Sequence, residues 1–297
     1  MSKHENILIP ADVPKNMMQT FQDNYNAITR DTGRLMLFAC DQKIEHMNAD
    51  FYGDNIDTSA LDPEHIFRIA ARGSIGALAT HLGLIARYGK EYPAVNYIVK
   101  LNAKTNLIPT TQKDPVSAAL WLVEHVVHLQ QLTGLSIRGI GYTVYLGSEY
   151  EDAMLAQAAQ IIYAAHQYGL VTILWIYPRG KSVHDESDGQ LIAGAAGIAN
   201  SLGADFVKVK ALESSLLQIV TAAAGNTKVI CAGGDQKDKK MLLREIYDQI
   251  HIGGAMGSAT GRNIFQHSLS DAILLTQAIS AVVYEDQRVD EAIKMLT

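Results

Sequence analysis

Eight short apolar runs, separated for the most part by segments of helical periodicity, limit most strongly what this chain can fold into. They fall at Arg34–Cys40, Ser74–Thr80, Asn96–Asn102, Ile137–Val144, Thr172–Tyr177, Phe206–Lys210, Lys228–Ala232 and Gly253–Ser258. Each has the length and apolar or β-branched content of a buried strand. Segments between them, such as PVSAALWLVEHVVHLQQLTG and DAMLAQAAQIIYAAHQYG, repeat apolar residues at helical spacing. Gly134 and Gly169 fall where helix C-caps favour glycine. Strands alternating with helices imply parallel pairing through right-handed crossovers. Eight such units without a linker or composition break predict a single (β/α)8 barrel over residues 1–297, with a short N-terminal helical extension (1–32) and a barrel core (33–290). The 297 residues suit this fold, which typically needs about 250. An open doubly wound sheet is the competing architecture. Against it, the first strand runs into ACDQKIEH rather than a GxGxxG loop.

Composition narrows the partners. A formal net charge of −6 argues against nucleic acid, whose phosphates are held mainly by Lys and Arg clusters. No apolar stretch reaches the roughly 20 residues that span a bilayer. The N-terminus MSKHENILIPADVPKN lacks the apolar core of a secretory signal. The two cysteines, Cys40 and Cys231, sit in apolar runs and read as buried thiols. Together these suggest a cytoplasmic protein.

A (β/α)8 barrel carries its active site at the C-terminal strand ends, and residues i and i+2 of a strand share a face. In TILWIYPRG, Trp175, Tyr177 and Arg179 share one face. In ADFVKVKAL, Phe206, Lys208 and Lys210 share another. Val207 and Val209 suit the layer against the helices, so the lysines are expected to point into the barrel. Buried lysines are rare because taking the charge out of water is costly. Two on one strand fit either a structural ion pair or phosphate contact, or an amine nucleophile activated by desolvation and a neighbouring cation. The seventh run ends in Gly233-Gly234, and the eighth is followed by Gly261 and Arg262, with Gly257 and Ser258 just before them. Loops in these positions frequently hold phosphate. Glycines let the backbone approach closely, and amides at a helix start suit an anion. Asp41 with Glu45 and His46, the pair Lys100 and Asn102, and the segment GYTVYLGSE complete a set of polar strand ends expected to converge on one pocket.

Taken together, the Asp41 strand end with Glu45-His46, VKLNAKTNL, GYTVYLGSEYE, WIYPRGK, GADFVKVK, CAGG and GRNIFQ occur in an order that resembles the archaeal-type class I fructose-bisphosphate aldolases, over roughly residues 33–290. The resemblance implies a carbon–carbon lyase of glycolysis and gluconeogenesis that uses neither metal nor cofactor. It assigns the Schiff-base lysine to Lys208, the acid/base tyrosine to Tyr177, and supporting catalytic roles to Trp175 and Asp41. It gives phosphate contacts to Gly233, Gly234, Gly261 and Arg262. Arg179 and Lys210 are further candidates for substrate binding, and Lys210 is an alternative nucleophile on the same face. It also implies a sugar-phosphate substrate and a homo-oligomer, often a decamer. Many relatives have His-Gly where this chain has Gln42-Lys43, which leaves the ketose open. Alternatives are a Schiff-base synthase or thiolase on another phosphorylated ketose, such as amino-dideoxy heptulosonate synthase, and a non-catalytic binding barrel. A metal-dependent aldolase would need clustered ligands. The ten histidines are scattered, and the His125/His128 pair is expected on a solvated helix outside the barrel.

Overall fold

The computed structural model describes residues 7–45, 50–105 and 114–296, with the side chain of Gln42 excepted. Eight parallel strands close into a barrel: β1 (Leu35–Ala39), β2 (Ala77–His81), β3 (Tyr97–Lys100), β4 (Ile137–Leu146), β5 (Val171–Pro178), β6 (Phe206–Val209), β7 (Lys228–Ala232) and β8 (Gly257–Thr260). Each strand pairs with its sequence neighbours, and β1 pairs with β8 through Leu35–Gly257 and Phe38–Thr260.

Side-chain alternation sorts the strands into two packed layers. Leu35, Leu37, Ala77, Ala79, Ile98, Ile173, Trp175, Phe206 and Ile230 fill the barrel interior. Val207, Val209, Met36 and Phe38 belong to the layer beneath the helices. The helices start and stop where local chemistry dictates. Asp188 caps Gly189–Ser201 and Asp238 caps Lys239–His251, each accepting two backbone N–H groups. Gly134 ends Val123–Thr133 at φ +69°, and Gly169 follows Glu151–Gln167 at φ +66°.

Two differences from the sequence reading stand out. The eighth strand begins at Gly257, because Gly253 and Gly254 still belong to the turn that ends helix Lys239–His251. Gly257 is therefore a strand residue: at φ +140° it passes so near β1 that a Cβ would lie 2.0 Å from the Leu35 carbonyl oxygen. The other difference is Asn102, which does not turn into the pocket. It pairs with Ala119 in a short antiparallel ribbon (Asn102–Ala103 with Ala118–Ala119). Its side chain donates to the Thr143 and Ser117 carbonyls and accepts from Thr143 N–H.

The N-terminal extension is the barrel's floor. After a 3-10 turn (Lys15–Met17), helix Met18–Thr29 lies across the N-terminal strand ends and sinks Phe21, Tyr25 and Ile28 into the interior. Tyr25 stacks on Phe206 at 5.5 Å. The segment before it is pinned by His166, wholly buried between Asp12 (Nδ1 to Oδ2, 2.9 Å) and Asp205 (Nε2 to Oδ2, 3.3 Å). Burial opposes the imidazolium, but Asp205 and Asp12 outweigh it and raise its pKa above 6.5. The charged form thus binds the fold better than the unfolded chain. Its stabilisation is full below the unfolded value and is lost as pH rises through the raised folded value. We expect the urea midpoint to fall between pH of about 6 and about 9 more steeply in the wild type than in His166→Gln. Equal slopes would show that His166 is neutral throughout.

Candidate active site

A cavity of about 320 Å³ opens at the C-terminal ends of the strands. The residues to which the resemblance gives catalytic or substrate-binding roles line it: Asp41 from the end of β1, Trp175, Tyr177 and Arg179 from β5 and its continuation, Lys208 and Lys210 from β6, and Gly233, Gly234, Gly261 and Arg262 from the loops after β7 and β8. Cys40 and Cys231 are buried free thiols outside that lining.

The two lysines of β6 differ in depth. Lys208, register partner of Trp175, is 7% exposed, and its Nζ lies 5.4 Å from the indole centroid. It makes no hydrogen bond or ion pair with a described residue. Burial lowers its pKa, Asp41 opposes that, and Lys100 adds to the lowering, so the net displacement is downward. Lys210 stands at the rim and donates to Ser187 Oγ at 2.6 Å.

Lys100, at the end of β3, is expected at the pocket from its strand position, but the sequence gives it no role there. It is fully buried, with Nζ 3.1 Å from Asp41 Oδ2, 2.7 Å from Glu45 Oε1 and 5.2 Å from the Trp175 ring centroid. Burial disfavours its charge, yet Glu45 and Asp41 more than compensate and raise its pKa. Burial likewise pushes the Asp41 carboxyl up, but Lys100, then Lys208 and His81, hold it well below the usual carboxylate range. Asp41 is therefore a carboxylate across the neutral range. The Trp175 indole has a seat because β4 carries Gly141, where a Cβ would lie 2.3 Å from the ring.

Tyr177 lies above Trp175, flanked by Tyr145 (rings 6.5 Å apart) and by the Arg179 guanidinium at 5.3 Å. Burial and Asp41 push the Tyr177 hydroxyl well above its ordinary pKa, with Arg179 opposing, so the resting group is a phenol. Arg179 also pairs with Glu186 at 3.0 Å.

On the opposite wall, Gly234 takes φ +68°, and a Cβ on Gly233 would meet Thr260 Oγ1 at 2.9 Å. Arg262 reaches Asp235 at 2.5 Å and Asp50 at 3.7 Å. Asn263 ties the two glycine loops together: Nδ2 donates to the Gly233 and Asp235 carbonyls, and Oδ1 accepts from Lys237 N–H. Sequence reasoning passed over it because an asparagine beside an arginine in a loop carries no pattern of its own. Lys43 turns away from the cavity, its Nζ lying 3.7 Å from the Phe51 ring centroid. The side chain of Gln42 and all of His46 lie outside the described residues. His125 and His128 are exposed on helix Val123–Thr133, remote from the cavity lining.

Comparison with known proteins shows the family of the chain. The sequence pattern of DeoC/LacD family aldolases matches residues 35–267. The chain belongs to that family. A relative in Methanocaldococcus jannaschii, named fructose-bisphosphate aldolase/6-deoxy-5-ketofructose 1-phosphate synthase, is 48% identical over 99% of this chain and 95% of its own. The fructose-bisphosphate aldolase class 1 of Halobacterium salinarum is 32% identical over 93% of this chain and 99% of its own. Among solved structures, fructose-bisphosphate aldolase from Slackia heliotrinireducens has TM-score 0.95 at 51% identity, covering 99% of this chain and 94% of that one. An archaeal fructose-1,6-bisphosphate aldolase, solved with its catalytic lysine covalently bound to the carbinolamine intermediate of the substrate, has TM-score 0.77 at 31% identity over 89% and 99%. Family membership makes the chain a carbon–carbon lyase on a (β/α)8 barrel. No helix among the described residues is long and apolar enough to cross a membrane.

Proposed function

We propose that the chain is a class I aldolase that reversibly cleaves fructose 1,6-bisphosphate to dihydroxyacetone phosphate and glyceraldehyde 3-phosphate through a Schiff base on Lys208. The observation that carries this reading is a buried lysine of lowered basicity facing a carboxylate and a tyrosine, in one cavity with two glycine loops and an arginine. Neutral Lys208 attacks the C2 carbonyl to give a carbinolamine, which loses water to form an iminium. A base takes the proton of the C4 hydroxyl, the C3–C4 bond breaks, and its electron pair moves into the iminium to give an enamine. Glyceraldehyde 3-phosphate leaves, C3 is protonated, and water releases dihydroxyacetone phosphate.

Tyr177 carries these protons. The resting phenol donates to the departing carbinolamine hydroxyl and to C3. The positive iminium beside it eases loss of that proton when the C4 hydroxyl must be deprotonated. Asp41, held ionised, orients the sugar hydroxyls, and Trp175 gives the amine an apolar wall. Gly233, Gly234, Gly261 and Arg262 hold one phosphate, positioning C2 with binding energy from a remote group. Arg179 and Lys210, at the rim, face the far end of the substrate. If Asn263 sets the spacing of the phosphate loops, Asn263→Ala raises KM about tenfold, equivalent to ~1.4 kcal/mol, with kcat nearly unchanged. An unchanged KM would place the phosphate elsewhere.

The name of the 48% relative favours a second acceptor as well. Splitting 6-deoxy-5-ketofructose 1-phosphate between C3 and C4 gives dihydroxyacetone phosphate and 2-oxopropanal, so the same enamine on Lys208 serves both reactions. The reading includes a cytoplasmic location, in keeping with two buried free thiols, and a homo-oligomer of the decamer type. Exposed Leu191, Leu216 and Ile219 on the adjoining helices Gly189–Ser201 and Ser214–Ala223 give a second copy apolar surface to cover.

Borohydride reduction in the presence of fructose 1,6-bisphosphate, followed by intact mass and peptide mapping, tests the proposal. A stable adduct on Lys208 is expected. An adduct on Lys210 would keep the chemistry and move the nucleophile. No adduct with this ketose or with dihydroxyacetone phosphate would remove the reading.

A further inference from the structure

Lys100 poses a question that the reaction scheme does not answer. A lysine with no exposed surface is costly unless its charge is compensated, and here two carboxylates compensate it. Asp41 also faces the proposed nucleophile across the cavity. Without another cation nearby, Asp41 and Glu45 would be the natural counter-ions of Lys208 and would hold it protonated, when imine chemistry needs the free amine.

The geometry reverses that outcome. Lys100 Nζ takes Asp41 Oδ2 at 3.1 Å and Glu45 Oε1 at 2.7 Å, while Lys208 makes neither contact. Both ammonium groups lie against the same indole, 5.2 and 5.4 Å from its centroid, so they are no more than about 11 Å apart with an apolar ring beside each. We propose that Lys100 is a positioning residue: it holds Asp41 and Glu45 as its own counter-ions, which leaves Lys208 unpaired beside a fixed positive charge and ready as a neutral amine. The proposal rests on the Schiff-base reading of the site.

The other groups around Lys208 do not substitute for Lys100. Arg262, across the cavity after β8, is paired with Asp235 and Asp50. Arg179 is paired with Glu186, and Lys210 on the same strand is bonded to Ser187 at the rim. Tyr177 and Tyr145 on β5 and β4 are displaced towards their neutral phenol forms. Cys40 beside Asp41 is displaced towards its neutral thiol, and burial, then Lys100, press His81 on β2 down to about 4, which keeps it neutral too. Lys100 is the cation whose removal changes both the sign of the local charge and the partner available to Asp41.

The test is the pH dependence of imine formation with dihydroxyacetone phosphate, trapped by borohydride, which needs no carbon–carbon cleavage. At an effective dielectric of about 20, one charge ~10 Å away moves a pKa by about one unit. In Lys100→Met, the midpoint for trapping should rise by about one pH unit or more, with the wild-type amplitude recovered at high pH. A midpoint that stays or falls, or trapping lost at every pH in a folded variant, would overturn the proposal. Should Lys100→Met fail to fold, Lys100→Met/Glu45→Gln removes one buried charge of each sign and should shift the midpoint the same way by less. No shift there also overturns it. Trapping that fails in the wild type would instead strike at the Schiff-base reading.

Discussion

Lys208→Ala should leave a folded barrel that forms no imine with dihydroxyacetone phosphate and has lost activity by about 10⁵-fold or more, because the electron sink for the C3–C4 bond is gone. The fold should tolerate the change. Lys208 is a buried amine with no hydrogen-bond partner among the described residues, so truncation removes a desolvated group and leaves no orphaned acceptor. Thermal melting and borohydride trapping on one preparation separate the two effects. A variant that retains near-normal turnover would sink the assignment of Lys208, and one that melts far below the wild type would show that the amine has an unseen structural partner.

Tyr177→Phe is expected to separate the two halves of the chemistry. Removal of the hydroxyl takes away the proposed proton carrier but leaves Lys208, Trp175 and the glycine loops untouched. Imine with dihydroxyacetone phosphate should still accumulate, while turnover of fructose 1,6-bisphosphate falls by about 10²–10⁴, the usual range for general acid–base catalysis. Exchange of the C3 proton of dihydroxyacetone phosphate with deuterated water should slow in parallel. Rapid exchange with slow cleavage would assign the C3 proton to another group of the cavity. The hydroxyl makes no hydrogen bond with a described residue, so the substitution should change stability by less than about 1 kcal/mol.

The sequence foretold this barrel because strand burial left a period that could be read directly. β3, β5 and β6 alternate between interior and helix-facing layers, so Val207 and Val209 went to one side and Lys208 to the other. The end of β8 was harder to place. Gly253 and Gly254 look the same on the page as Gly257, yet the first two finish a helix while the third permits contact with β1. The single-residue features of the pocket were legible for a similar reason: a lysine within a valine strand contradicts its surroundings. The pairings were not. That Lys100 reaches Asp41 and Glu45, that Asn102 turns to the ribbon, and that Asn263 bridges two loops all depend on contacts separated by 15 to 59 positions in the chain. No local period encodes such distances.

The helix laid across the N-terminal strand ends has a bearing on the order of events. With Phe21, Tyr25 and Ile28 filling the lower end, the chamber around Lys208 is closed at the bottom and, among the described residues, opens at the C-terminal ends of the strands. In such a vessel, loading and unloading are mirror images: whatever enters last must leave first. On the proposed Schiff base, the ketone fragment held at Lys208 occupies the inner berth, and the aldehyde is left the outer one. On that reading, cleavage discharges the aldehyde before the lysine is freed, and synthesis seats the ketone before the aldehyde arrives.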